Sequence, residues 1–172
     1  WLLESWVRFE RELALVVSRD RQGRIRHLPM VETHQSNQIC DWVFAPAEAE
    51  PLLEATAYNI AASLLTRLGY VGVMALEFFY GPDGLFVNEI APRTHNSGHF
   101  SIEACSSSQF DQQLCITAGL PVPATELVVE GALMVNLLGL QDAAAVGNDQ
   151  NLNERLARLR SFPNAHVHWY GK

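Results

Sequence analysis

The stretch VMALEFFYGPDGLFVNEIAPRTHNSGH, Val73 to His99, decides how the rest of the chain is read. Its first part is aromatic and β-branched on both sides of GPDG, which predicts two antiparallel strands joined by a tight turn. Its second part runs from Asn88 and Glu89 straight into Pro92, Arg93, His95, Asn96 and His99. A strand that ends in so many polar groups has work for them other than packing.

The length of the turn sets which residues face one another. A three-residue loop of Pro82, Asp83 and Gly84, or a five-residue loop, puts Glu77 opposite Glu89 on one face, whereas a four-residue loop puts Glu77 against Asn88 and turns Glu89 away. Gly84 favours the three-residue form, because such loops end on a left-handed residue. Opposed carboxylates have β-carbons about 4.5–5.5 Å apart, and like charges at that spacing destabilise a sheet unless a cation neutralises them. Met74, Leu76, Phe78, Phe79, Phe86, Val87 and Ile90 predict largely apolar surroundings, where two bare carboxylates are costly. Hard oxygen ligands with no neighbouring cysteine suit Mg²⁺ or Mn²⁺ better than zinc. Asn88 can add a neutral oxygen or bond a substrate.

The plain alternative is an edge hairpin with both glutamates in water. The residues that follow argue against it. Pro92 fixes the backbone, Arg93 offers a planar fork for an anion, and His95, Asn96 and Ser97 crowd further polar groups beside the carboxylates. Gly98 permits a tight backbone near the next helical region, where amides can also face an anion. His95 and His99 lie in a segment broken by proline and glycine, so they read as hydrogen-bonded spacers rather than a zinc pair.

Working outward, ELALVVSRD (Glu12 to Asp20), the turn RQGR and IRHLPMVET predict a first hairpin, and ICDWVFA (Ile39 to Ala45) a third extended run ending at Pro46. Leu53, Ala57, Ile60, Ala61, Leu64, Leu65 and Leu68 recur at helical steps, with Pro51 in the first turn and Gly69 at the exit. Ser108 and Asp111 form a capping-box pattern at the head of QFDQQLCITAG. GALMVNLLGL reads as a buried strand, LNERLARLR as a short amphipathic helix and AHVHWY as a final strand. The order predicts an α+β fold, an antiparallel sheet with flanking helices.

With 172 residues, 48% of them hydrophobic, the chain can bury a core, and its net charge of −7 leaves no general basic surface for nucleic acid. No apolar run nears the roughly 20 residues that cross a bilayer, and the start lacks a signal peptide's order. Cys40, Cys105 and Cys115 are odd in number and form no CxxC pair, which suits reduced core thiols in a cytosol. A start at Trp1 and an end inside HVHWYGK, where a strand pattern still runs, are expected of an excised piece.

The run from Val73 to Leu114, above all NEIAPRTHNSGH, resembles the N5-carboxyaminoimidazole ribonucleotide synthase family of ATP-grasp ligases, and the likeness extends over nearly the whole chain. It implies the second half of an ATP-grasp domain over residues 1–125, with adenosine segment and magnesium strands, and over 126–172 the start of a small β-rich C-terminal domain. It implies a cytoplasmic enzyme of purine biosynthesis, a homodimer at full length, that joins bicarbonate to aminoimidazole ribonucleotide with ATP through carboxyphosphate. Its partners are then small molecules, with no nucleic acid and no membrane. Carried onto this chain, Glu77 and Glu89 bind the Mg²⁺ (or Mn²⁺) on the ATP phosphates with Asn88 assisting. Arg93, His95 and Asn96 hold bicarbonate, carboxyphosphate or the ribonucleotide. Glu4 and the backbone of Ser5, Trp6 and Val7 form an adenine hinge, Glu12 takes the ribose hydroxyls, and Gln35 stands at a nucleotide position that is histidine in some members.

Without the resemblance, Glu4 and Glu12 are ordinary charges beside strands. Two departures stand out: there is no glycine-rich phosphate loop, and Lys172 is the only lysine. The chain is thus expected to hold the magnesium strands without the full ATP cradle, and by itself to be inactive. The competing readings are another ATP-grasp carboxylate–amine ligase and a non-catalytic Mg-ATP-binding domain.

Overall fold

A computed structural model describes residues 3–37, 39–137 and 149–169, with side chains from 153 in the last segment. The chain forms two compact units, Trp1–Asn136 and Leu137–Lys172. The first contains strands β1 (Arg11–Arg19), β2 (Ile25–His27), β3 (Val31–Ser36) and β4 (Ile39–Ala45), helix α1 (Pro51–Arg67), strands β5 (Gly72–Gly81) and β6 (Gly84–Ala91), helices α2 (Ser101–Ala104) and α3 (Gln109–Ala118), and strand β7 (Ala132–Val135). In the second, helix α4 spans Asp149–Arg160. The strands make one antiparallel sheet in the order β6-β5-β1-β3-β4-β7, with β2 also paired to β1. This is the expected mixture of antiparallel sheet and flanking helices.

Strand alternation gives the sheet two apolar faces. On one, Leu13, Leu15 and Val17 of β1 and Met74, Leu76 and Phe78 of β5 meet Ala57, Ala61 and Leu65 of α1. On the other, Ala14, Val16, Val73, Ala75 and Ala91 join Phe100, Ala104 and Cys105 from the segment after β6. β1 is therefore buried from Leu13 to Ser18, a central strand covered on both sides. The helix predicted over Leu53–Leu68 forms as α1, with Pro51 in its first turn and Gly69 leaving at φ +58°; Leu68 sits past its end, exposed.

IRHLPMVET is not one strand. The break falls at Leu28–Met30, where Pro29 has no N–H for the ladder, and the chain resumes as β3 on the same neighbour, β1. At the turn before it, the buried Asp20 carboxylate accepts from the Gln22 and Arg24 amides and from Arg24 Nε. Among the described residues of GALMVNLLGL, Ala132–Val135 form a strand, on β4; residues 138–140 lie outside those described. Residues 165–169 of the predicted final strand have no regular structure, since no described strand offers them a ladder; Tyr170 lies outside the described residues.

The capping box at α3 forms as read: Ser108 Oγ accepts from the Asp111 amide at 3.1 Å, and Asp111 Oδ2 accepts from the Ser108 amide at 2.9 Å. Ser108→Ala should lower stability by about 1 kcal/mol, read as an earlier urea midpoint at unchanged slope.

Candidate functional site

Glu77 of β5 and Glu89 of β6 are directly paired, by a different route from the one the sequence suggested. The turn holds only Pro82 and Asp83, closing Gly81 onto Gly84, which takes φ +104°. A two-residue turn has the parity of a four-residue one, so regular pairing would set Glu77 against Asn88. The ladder instead steps from Phe78↔Val87 to Glu77↔Glu89, leaving Asn88 as the extra residue of a bulge. The bulge, not the loop, brings the two carboxylates onto one face.

Their surroundings are one-sided. β6 is an edge strand, and Phe86, Val87 and Ile90 are exposed rather than enclosing the pair, as is Glu89; Glu77 is 14% exposed. Burial, then the charge of Glu89, then that of Glu12, push the Glu77 carboxyl up to about 7, with Arg93 acting the other way. Glu12 belongs to the same face, two residues along β1 from Ala14, the partner of Glu77. Its Oε2 accepts from the Gln35 amide at 3.1 Å, so two residues assigned by resemblance alone are tied together. Cys40, paired with Gln35, shares this environment: burial first, then Glu77, Asp41 and Glu12, raise its thiol to about 11 and keep it protonated.

Beyond β6 the backbone turns at Pro92 and returns over this face. His95 presents Nε2 3.8 Å from Glu77 Oε1. The Ser97 amide donates to His95 Nδ1 at 3.4 Å and the Ser97 hydroxyl lies 3.0 Å from it, so Nδ1 is the acceptor and the neutral ring carries its proton on Nε2. Burial, helped by the Arg93 charge, holds His95 below the usual imidazole range. Arg93 itself is exposed, with Nη1 donating to the Thr94 carbonyl at 2.9 Å. Asn96 opens a 3₁₀ turn, Asn96–Gly98.

The structure thus gathers Glu12, Gln35, Glu77, Glu89, Arg93 and His95 around one sheet face. It does not gather the expected hinge: Glu4, Ser5 and Trp6 are exposed, Val7 is half-buried, and no hydrogen bond or ion pair among the described residues ties them to the carboxylates. That segment is anchored further on, where Phe9 stacks on Phe79 at 4.2 Å and the Glu10 amide donates to the Tyr80 carbonyl at 2.9 Å. One residue escaped the sequence reading. Gln109, fully buried, bonds the His95 backbone from both sides, and nothing in the sequence marks it beyond its place after a capping serine.

Among the described residues no three His, Cys, Asp or Glu side chains are placed to hold a metal ion. A cation at Glu77 and Glu89 would complete its shell from phosphate and water oxygens, as Mg²⁺ does readily. The raised Glu77 carboxyl fits such an ion, which would restore the anion that burial and its neighbours disfavour.

The chain that presents these paired carboxylates beside an arginine belongs to the ATP-grasp family, whose domain pattern matches residues 1–110. Residues 132–172 match the phosphoribosylaminoimidazole carboxylase C-terminal domain. The chain is 48% identical over 171 residues to the N5-carboxyaminoimidazole ribonucleotide synthase of Synechococcus elongatus, covering 99% of this chain and 42% of that one. It superimposes on the N5-carboxyaminoimidazole ribonucleotide synthetase of Thermus thermophilus with a TM-score of 0.86 at 38% identity, over 98% of this chain and 44% of the other. On the Aspergillus clavatus synthase in complex with ADP and 5-aminoimidazole ribonucleotide the TM-score is 0.81 at 32% identity, over 96% and 43%. The chain spans less than half the length of these relatives.

The Glu77 shift has a sign that can be measured without metal. Its folded value near 7 lies above the ordinary 4.5, so the native state keeps a proton that the unfolded chain releases. The associated stability is complete below pH 4.5 and is lost as pH rises through 7, by on the order of 3 kcal/mol. Glu77→Gln should abolish that loss in urea unfolding at pH 5 and 8 in chelator.

Proposed function

We propose that the protein carrying this chain uses ATP to carboxylate 5-aminoimidazole ribonucleotide with bicarbonate, forming N5-carboxyaminoimidazole ribonucleotide in purine biosynthesis. The observation that carries this reading is the Glu77/Glu89 pair sharing a face with His95 and Arg93, supported by the similarity to synthases, one of them in complex with ADP and the ribonucleotide. Residues 1–125 are proposed as the second half of the ATP-grasp domain and 126–172 as the start of the C-terminal domain; the matches to 1–110 and 132–172 lie on either side of that junction.

In this reading Glu77 and Glu89 hold Mg²⁺ or Mn²⁺, which when bound neutralises charge on the ATP phosphates. Glu12 accepts from the ribose hydroxyls, its carboxylate oriented by the Gln35 backbone amide that donates to Oε2. Glu4 and the backbone of Ser5, Trp6 and Val7 supply the adenine edge, a role their exposed position leaves open to a ligand. Gln35 and Asn88 add neutral polar contacts. Arg93 clamps an anionic oxygen pair of bicarbonate or of carboxyphosphate, for which a planar fork is better shaped than an ammonium. His95, with Nδ1 committed to Ser97, donates from Nε2 to an oxygen on the carboxylate side, and Asn96 lies beside it.

The reaction is assigned to the cytoplasm, supported by the free, buried thiols of Cys40 and Cys105; among the described residues no helix is long and apolar enough to cross a membrane. By resemblance the full-length protein is a homodimer. A different ATP-grasp ligase, or a domain that binds Mg-ATP without turnover, would share the same carboxylates.

In the full-length protein, ADP release should require bicarbonate and 5-aminoimidazole ribonucleotide together; release driven by another acid or amine, or Mg-ATP binding with no turnover, would overturn the proposal. Glu77→Ala and Glu89→Ala should each lower kcat by about a hundredfold or more while circular dichroism stays unchanged. Arg93→Lys should cost about tenfold or more in kcat/KM for bicarbonate; unaltered kinetics would remove the clamp.

A further inference from the structure

Gln109 is the first residue of α3 and is fully buried, an unusual place for a side chain with four hydrogen-bonding positions. Its Oε1 accepts from the His95 amide at 2.8 Å and its Nε2 donates to the His95 carbonyl at 2.7 Å, so the carboxamide pairs with the backbone of one residue as a neighbouring strand would. The second Nε2 hydrogen points to His99 Nδ1 at 2.9 Å. With Oε1 facing an N–H, the orientation of the amide is fixed: both Nε2 hydrogens and one of the two Oε1 lone pairs are matched. Its own backbone N–H donates to Ser101 Oγ at 3.1 Å.

The space around the amide is equally specified. A Cβ on Gly98 would lie 2.6 Å from Gln109 Oε1 and 2.7 Å from Cδ, closer than Cβ atoms come to their neighbours, so a larger residue at position 98 would have to push the carboxamide off its hydrogen bonds. The backbone of His95 is thereby locked, and Ser97 locks the ring at Nδ1. Together they leave Nε2 as the one ring nitrogen turned toward Glu77.

We propose that Gln109 is a positioning residue for the reaction: by bonding both backbone groups of His95 it fixes the direction in which the imidazole points its Nε2–H as a hydrogen-bond donor. This rests on the carboxylation reading for its effect on turnover, but not for its effect on the ring. Gln109 touches no substrate; it acts through His95. Gln109→Glu keeps the length and the oxygen that accepts from the His95 amide, but loses the donor to the His95 carbonyl. Gln109→Met keeps the volume and loses every polar contact.

The test uses the full-length protein and two readouts. In nitrogen NMR of the His95 ring, the wild type should show Nδ1 bare and Nε2 protonated; in Gln109→Met the freed His95 backbone should carry the ring off the Ser97 contacts at Nδ1, and exchange between the two tautomers should appear. In steady-state kinetics, Gln109→Met should lower kcat by about a hundredfold, the scale of a misplaced reacting group, with the KM for ATP changed less than about twofold. His95→Ala combined with Gln109→Met should be no slower than His95→Ala alone. A double variant in which the two losses multiply, or a fixed His95 tautomer in both Gln109 variants, would overturn the assignment. So would unfolding of both variants, which would make Gln109 a core element only. If His95→Ala alone left turnover intact while Gln109→Met still released the tautomer, the carboxylation role of His95 would fall and the positioning of its ring would stand.

Discussion

Two carboxyl groups are held face to face across β5 and β6, one of them largely out of water, and the rest of the site is organised around the cost of charging both. A sheet does not ordinarily tolerate opposed carboxylates, and here a third, Glu12, looks onto the same face from the central strand. The cost appears in the Glu77 carboxyl, which holds its proton to about pH 7. A protein of this stability range can afford such a feature only where something restores the balance. Arg93 offsets part of it from the loop, and a divalent cation would offset the remainder.

The scaffold explains why the carboxylates stay put. β1 and β5 are packed on one face by α1 and on the other by the segment that follows β6, so Glu77 projects from a strand that has no freedom to twist away. Glu89, on the exposed edge strand, is opposite it because the Asn88 bulge adds one residue to β6. Apolar packing of Phe100, Ala104 and Cys105 seats the returning chain on the sheet, and at His95 a buried carboxamide adds hydrogen bonds that fix direction as well as distance. A hydrogen-bonded amide specifies the orientation of a backbone in a way that a leucine cannot.

Much of this was legible in the residues. Extended apolar runs predicted β1, β4 and the β5/β6 hairpin, helical steps predicted α1 and a capping box α3, and the motif Asn88–His99 drew attention to the face where Glu77, Glu89, Arg93 and His95 gather. The turn was misread because Gly84 suits both a three-residue loop and the end of a two-residue one, and a bulge leaves no mark in a single sequence: Asn88 reads as one more strand residue. Gln109 was hidden for a similar reason, since a glutamine at a helix start is normally solvated and only the fold buries it. Pro29 could have announced the break between β2 and β3. The run Ala165–Trp169 alternates like a strand, but alternation cannot supply a neighbour to pair with.

The most direct test is a crystal of the full-length protein grown with Mn²⁺ and a non-hydrolysable ATP analogue, read by manganese anomalous scattering. The account predicts a peak about 2.0–2.3 Å from one carboxylate oxygen of Glu77 and one of Glu89, bridging them to the nucleotide phosphates. Manganese held by the phosphates alone, with the two carboxylates turned elsewhere, would contradict it.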